Sequence, residues 1–113
     1  MSDFIISVKE MNGIILIETN GYLNNVGGEE ISAICYEKMG LGQTKFLINM
    51  AGTKIVNSIG VSILIEIIEK LQEVNGKIGY YNLAPIVSKT FNIMGLTKYS
   101  TVFETEELAV NEL

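Results

Sequence analysis

Residues 45–76 read Lys-Phe-Leu-Ile-Asn-Met-Ala-Gly-Thr-Lys-Ile-Val-Asn-Ser-Ile-Gly-Val-Ser-Ile-Leu-Ile-Glu-Ile-Ile-Glu-Lys-Leu-Gln-Glu-Val-Asn-Gly. The apolar run Phe46 to Met50, interrupted only by Asn49, suits a strand buried on both faces. A loop should follow. Val61, Leu64, Ile65, Ile68 and Leu71 then recur at helical spacing. Ser58 falls where that helix begins, at the point where backbone N–H groups lack intrahelical partners. A hydroxyl there caps a helix, and a phosphate there meets N–H donors and the positive end of the dipole.

Working outward, Phe4 to Lys9 and Ile14 to Thr19 are β-rich runs joined through Met11-Asn12-Gly13. Asn-Gly between such runs signals a hairpin, because both turn positions tolerate positive φ. The first strand belongs at an edge; the second, apolar on both faces, belongs inside the sheet. Asn20-Gly21 should end it, leaving Tyr22 to Gly28 as a loop. A helix is expected from about Glu29 to Met39, with Glu29 and Glu30 in its first turn and Gly40 as its stop. After the central strand and helix, Asn75-Gly76 closes the helix and Lys77 to Asn82 forms a strand. Pro85 opens a helix that Gly95 ends. Tyr99 to Phe103 is a last strand, and Thr105 caps a terminal helix with Glu106 and Glu107 in its first turn. Alternating strands and helices predict an α/β domain spanning residues 1–113, with a mixed, mostly parallel sheet of about five strands and about four helices.

Composition narrows the function. The 113 residues carry 13 acidic and 8 basic side chains and a net charge of −5. That balance argues against nucleic acid as a partner and against an electrostatic hold on anionic membranes. Glu66, Glu69 and Lys70 interrupt the most apolar helix, so direct membrane insertion is not expected. Met1-Ser2-Asp3 shows no basic-then-apolar leader, and the single Cys35 forms no internal disulfide; a cytoplasmic, reduced setting is the expectation. With no His, neither zinc of the usual ligand types nor a Cys-His nucleophile is available, and Cys35 reads as a small core residue. No Walker or Gly-x-Gly-x-x-Gly string is present, so no cofactor and no enzymatic activity are expected. Glu66, Glu69 and Glu73 share the outer side of their helix, where Lys70 can pair with Glu66.

The junctions between elements resemble those of the STAS domain, the fold of bacterial anti-sigma factor antagonists. Asn57-Ser58-Ile59-Gly60 is similar to the Asp-Ser-Ser-Gly motif at the same strand-to-helix junction. Asn82-Leu83-Ala84-Pro85 resembles the family's turn before its third helix, Met94-Gly95-Leu96 its close, and Gly21-Tyr22-Leu23 the Gly-x-Leu after the second strand. The resemblance implies that Ser58 is the residue phosphorylated by a partner anti-sigma factor with serine kinase activity. It also implies that the unphosphorylated form binds this partner, that the phosphorylated form releases it, and that a phosphatase resets the cycle. Leu23, Asn24, Asn25, Val26, Lys54, Val56, Asn57 and Ile59 would then form the contact, with Gly60 allowing a partner's close approach. Asn49 and Asn57 replace two acidic residues usual in the family. The other reading is a constitutive STAS adaptor of a membrane-associated or lipid-transport complex, without a phosphate cycle.

Overall fold

The computed structural model describes residues 3–113; Met1 and Ser2, on which the leader-peptide reading partly rests, lie outside it. Five strands form one sheet in the order β1 (Ile5–Met11), β2 (Ile14–Leu23), β3 (Lys45–Val56), β4 (Lys77–Tyr81), β5 (Thr101–Phe103). The β1–β2 pair is antiparallel and the other three pairs are parallel. The predicted mixed sheet is therefore present, with β1 at an edge and β3 in the middle. Asn12 and Gly13 both take positive φ, 55° and 79°, as the hairpin signal requires.

Three helices, α1 (Asn25–Gly40), α2 (Ser58–Glu73) and α3 (Pro85–Ile93), cover one face of the sheet. Ile31 and Cys35 of α1, Leu64, Ile67 and Leu71 of α2, and Val87 and Phe91 of α3 close over Ile17, Phe46, Ile48 and Tyr80. On α2 it is Ile67, rather than Ile65, that is fully enclosed; Ile65 is only half-buried. Among the described residues only α4 (Glu106–Glu112) covers the other face, setting Ala109 over Leu47, Tyr81 and Phe103. Thr105 caps α4 as expected, accepting from the Leu108 N–H. A short 3-10 turn, Leu96–Lys98, lies between α3 and β5, and β5 begins only at Thr101, because Tyr99 closes that turn and the Ser100 hydroxyl donates back to Leu96 O.

Three further boundaries differ from the sequence reading, each for a physical reason. The strand β2 does not stop at Asn20-Gly21, because β3 itself runs on to Val56 and supplies a partner: Tyr22 pairs with Ile55 and Leu23 with Val56. What reads as a loop after Met50 is thus strand. Over this overhang the register shifts twice, each time with an extra residue on β3, as β-bulges require. A buried pair of hydroxyls, Thr19 and Thr53 at 2.8 Å, satisfies polar groups within the irregular stretch.

The helix α1 begins at Asn25 rather than near Glu29. Asn24 caps it, its side chain accepting from the Gly27 N–H at 3.1 Å, and both glycines lie inside the helix. Glu29 and Glu30 consequently sit beyond the first turn. At the far end Gly40 is the last helical residue, and Gly42 takes the left-handed conformation, φ 91°. Gln43 donates to Lys38 O and Gly42 to Met39 O, the bond pair of a Schellman close. On α2, Lys70 reaches Glu73 at 3.7 Å instead of Glu66.

Candidate functional site

The end of β3 delivers the chain to α2 through Val56 and Asn57. Asn57 is extended, φ −124° and ψ 171°, and its side-chain oxygen accepts from the Gly60 N–H at 2.9 Å. Asn57 is therefore the helix cap, and Ser58 is the first helical residue. The possibility that the Ser58 hydroxyl itself caps α2 is corrected by this geometry. Ser58 is exposed, and its backbone oxygen accepts from the Ser62 hydroxyl one turn on, at 2.8 Å. An exposed hydroxyl thus stands at the positive end of a sixteen-residue helix, with no part in closing that helix.

Backbone contact joins this helix start to the β2–α1 junction. The Asn57 N–H donates to Leu23 O at 3.1 Å. A Cβ added at Gly60 would overlap Leu23 O, and would stand 2.7 Å from Leu23 C and 3.0 Å from Asn24 O. Gly60 is therefore demanded by the chain's own fold, which corrects its reading as room for a partner. Gly28 serves the same packing from the other side, lying against Ile63 and Gly60 O. The capped starts of α1 and α2 are consequently neighbours at one end of the sheet.

These contacts bring together only part of the predicted surface. Asn25, Val26, Lys54, Ser58 and Ile59 are exposed, Ile59 by 56%. Asn24 and Asn57 are half-buried and committed to capping. Leu23 is fully buried, so its side chain offers nothing to a partner, and Val56 is half-buried against the core. One residue earlier on each strand, Tyr22 and Ile55 are direct register partners and both well exposed. The pairs Ile55-Val56 and Tyr22-Leu23 are of strand-forming types, but the Gly and Asn residues just before or after them mask that signal, and it is the pairing between the two segments that makes both strand.

Asn49, the second amide, is also held within the chain. Its Oδ1 accepts from the Ala51 N–H at 3.0 Å and from the Asn82 side chain at 3.1 Å. The amide ties the first irregular residues of β3 to the β4–α3 junction, where Asn82 takes a positive φ of 60°. Cys35 lies elsewhere, enclosed under α1, and burial pushes its thiol up to about 12. A thiol so raised is a packing group rather than a nucleophile. Among the described residues no group of three or more His, Cys, Asp or Glu is placed to hold a metal, and no helix is long and apolar enough to cross a membrane.

A five-stranded mixed sheet with an exposed serine at the start of its central crossover helix defines a STAS fold. The STAS domain model matches residues 6–109, and the chain belongs to that family. It is similar to BtrV of Bordetella bronchiseptica, a candidate anti-sigma factor antagonist, at 19% identity over 104 residues, covering 92% of this chain and 90% of that protein. Among solved structures, TM1081 of Thermotoga maritima, also a candidate anti-sigma factor antagonist, superposes with a TM-score of 0.85 at 13% identity, covering 94% and 92% of the two chains. The Bacillus cell-fate determinant SpoIIAA in its phosphorylated form superposes with a TM-score of 0.72 at 23% identity, covering 93% and 96%.

Proposed function

We propose that this chain is an anti-sigma factor antagonist whose hold on an anti-sigma factor with serine kinase activity is switched at Ser58. The observation that carries this reading is the division of labour at the start of α2: Asn57 closes the helix, and the neighbouring hydroxyl is left exposed. A phosphate added there suits its host, because it enters the positive end of the dipole without displacing a cap. The same phosphate does not suit a docked surface. In an interface seated on Ile59, Ile55 and Tyr22 it imposes desolvation and repulsion. Unphosphorylated protein binds and the phosphorylated form lets go, after which a phosphatase restores binding.

One feature favours a second reading, a constitutive adaptor without a phosphate cycle. Both acidic residues that the family places around the serine are amides here, Asn49 and Asn57, so a kinase that reads those carboxylates would pass this site by. A pull-down with the histidine-kinase-like ATPase encoded nearest to the chain separates the two. For the switch, wild type and Ser58→Ala are retained, Ser58→Asp is lost, and ATP adds a phosphate that maps to Ser58. Retention of Ser58→Asp together with an unmodified Ser58 would leave the adaptor reading standing.

A further inference from the structure

Away from Ser58, a groove of about 220 Å³ runs between α2 and the 3-10 turn. Its floor is apolar, formed by Ile65 and Ile68 on one side and Met94 and Leu96 on the other, of which Ile68 and Leu96 are almost wholly buried. Tyr99 stands at its mouth with 66% of its surface exposed, and Ile93, next to Met94 in the chain, is also well exposed. The two walls carry opposite charges, Glu69 on α2 and Lys98 on the turn. Among the described residues neither has an ion-pair partner within the chain. Glu69 lies eleven residues beyond Ser58 on α2, roughly 16 Å along the axis at the helical rise.

We propose that this groove is the contact surface of a two-fold dimer, in which each copy lays its Tyr99 ring into the groove of the other. A two-fold axis through the groove exchanges its walls, so Glu69 of one copy meets Lys98 of the second and the reverse holds at the other rim. A surface with an apolar floor and one charge of each sign on opposing walls is complementary to itself. An exposed tyrosine beside an apolar recess supplies the large, rigid anchor that such contacts use. A standard interface buries roughly 800 Å² on each partner, about an eighth of this chain's 6124 Å². The groove and its rims are a smaller patch, so the dimer is a weak one that forms at high protein concentration. Because Ser58 lies at the opposite end of α2, dimerisation leaves it free, and the two proposals stand or fall separately.

Sedimentation velocity from low micromolar to millimolar protein tests the dimer, using wild type, Glu69→Lys, Lys98→Glu, the double reversal and Tyr99→Ala. Wild type self-associates. Each single reversal places like charges across the rim and raises the dissociation constant about tenfold or more, and the double reversal restores association. Tyr99→Ala weakens association with an unchanged far-ultraviolet circular dichroism spectrum, while Ser58→Asp leaves it as in wild type. A wild type that stays monomeric throughout overturns the proposal. So does a dimer indifferent to the single reversals, or a double reversal that fails to restore it.

Discussion

Gly60→Ala isolates the contact that sets the start of α2 on the β2–α1 junction. The new methyl carbon would overlap Leu23 O and crowd Leu23 C and Asn24 O, all backbone atoms that no rotamer change can clear. Relief requires moving either α2 or the Leu23–Asn24 segment, which disturbs two hydrogen bonds, Asn57 N–H to Leu23 O and Gly60 N–H to the Asn57 side chain. Overpacking of this kind costs about 1–3 kcal/mol. A strained cap adds up to about 1 kcal/mol. Alanine's better helix propensity returns about 1 kcal/mol. The net expectation is a loss of about 2 kcal/mol, which in a chain of this size lowers Tm by roughly 5–10 °C. Gly40→Ala is the control, since Gly40 is helical, has no positive φ and has open space around its position. Urea and thermal unfolding of both variants beside wild type should show Gly60→Ala destabilised and Gly40→Ala unchanged or slightly more stable. A Gly60→Ala protein as stable as wild type would refute the close approach and, with it, the account of why the two helix starts are locked together.

Two further predictions concern stability. Asn57→Ala should lose about 1 kcal/mol by removing the cap, whereas Ser58→Ala should stay within about 0.5 kcal/mol of wild type; the opposite ranking in urea titrations would return the cap to the serine. Alkaline pH should destabilise the fold, because Cys35 is raised from 9.0 to about 12 and burial also raises Tyr80. Their neutral forms contribute stability that is complete below the unfolded-state values and is lost as pH climbs from about 9 toward 12. A Tm profile flat across that window, or one rising through it, would contradict their burial.

Most of the architecture was legible because it rests on local signals. The Asn12-Gly13 hairpin, the 3.6-residue spacing from Val61, Pro85 at the head of α3 and Thr105 before α4 each carry their own mechanism. What escaped was set by distant partners. Neither the extension of β2 through Tyr22 nor that of β3 through Ile55 is favoured by its own Gly and Asn residues; each is strand because the other is there to pair with it. Gly27 and Gly28 look like loop residues, yet they are helical because Asn24 caps the helix before them, and they are glycine because the Tyr22 carbonyl, Phe4 and Ile63 crowd their positions. The site followed the same division. The exposure of Ser58, Ile59 and Lys54 follows from the strand-to-helix order, but the burial of Leu23 and the internal use of Gly60 depend on a contact between segments more than thirty residues apart.

The assignment of the cap to Asn57 has a consequence for turnover. Chemistry at the neighbouring hydroxyl removes no bond on which the native state rests, and a phosphate there meets the positive end of α2, so modification does not raise the fraction of molecules open to proteases. A cell that cycled this residue would therefore not mark the modified form for faster loss, and a fall in that form would report on its removal by a phosphatase rather than on proteolysis.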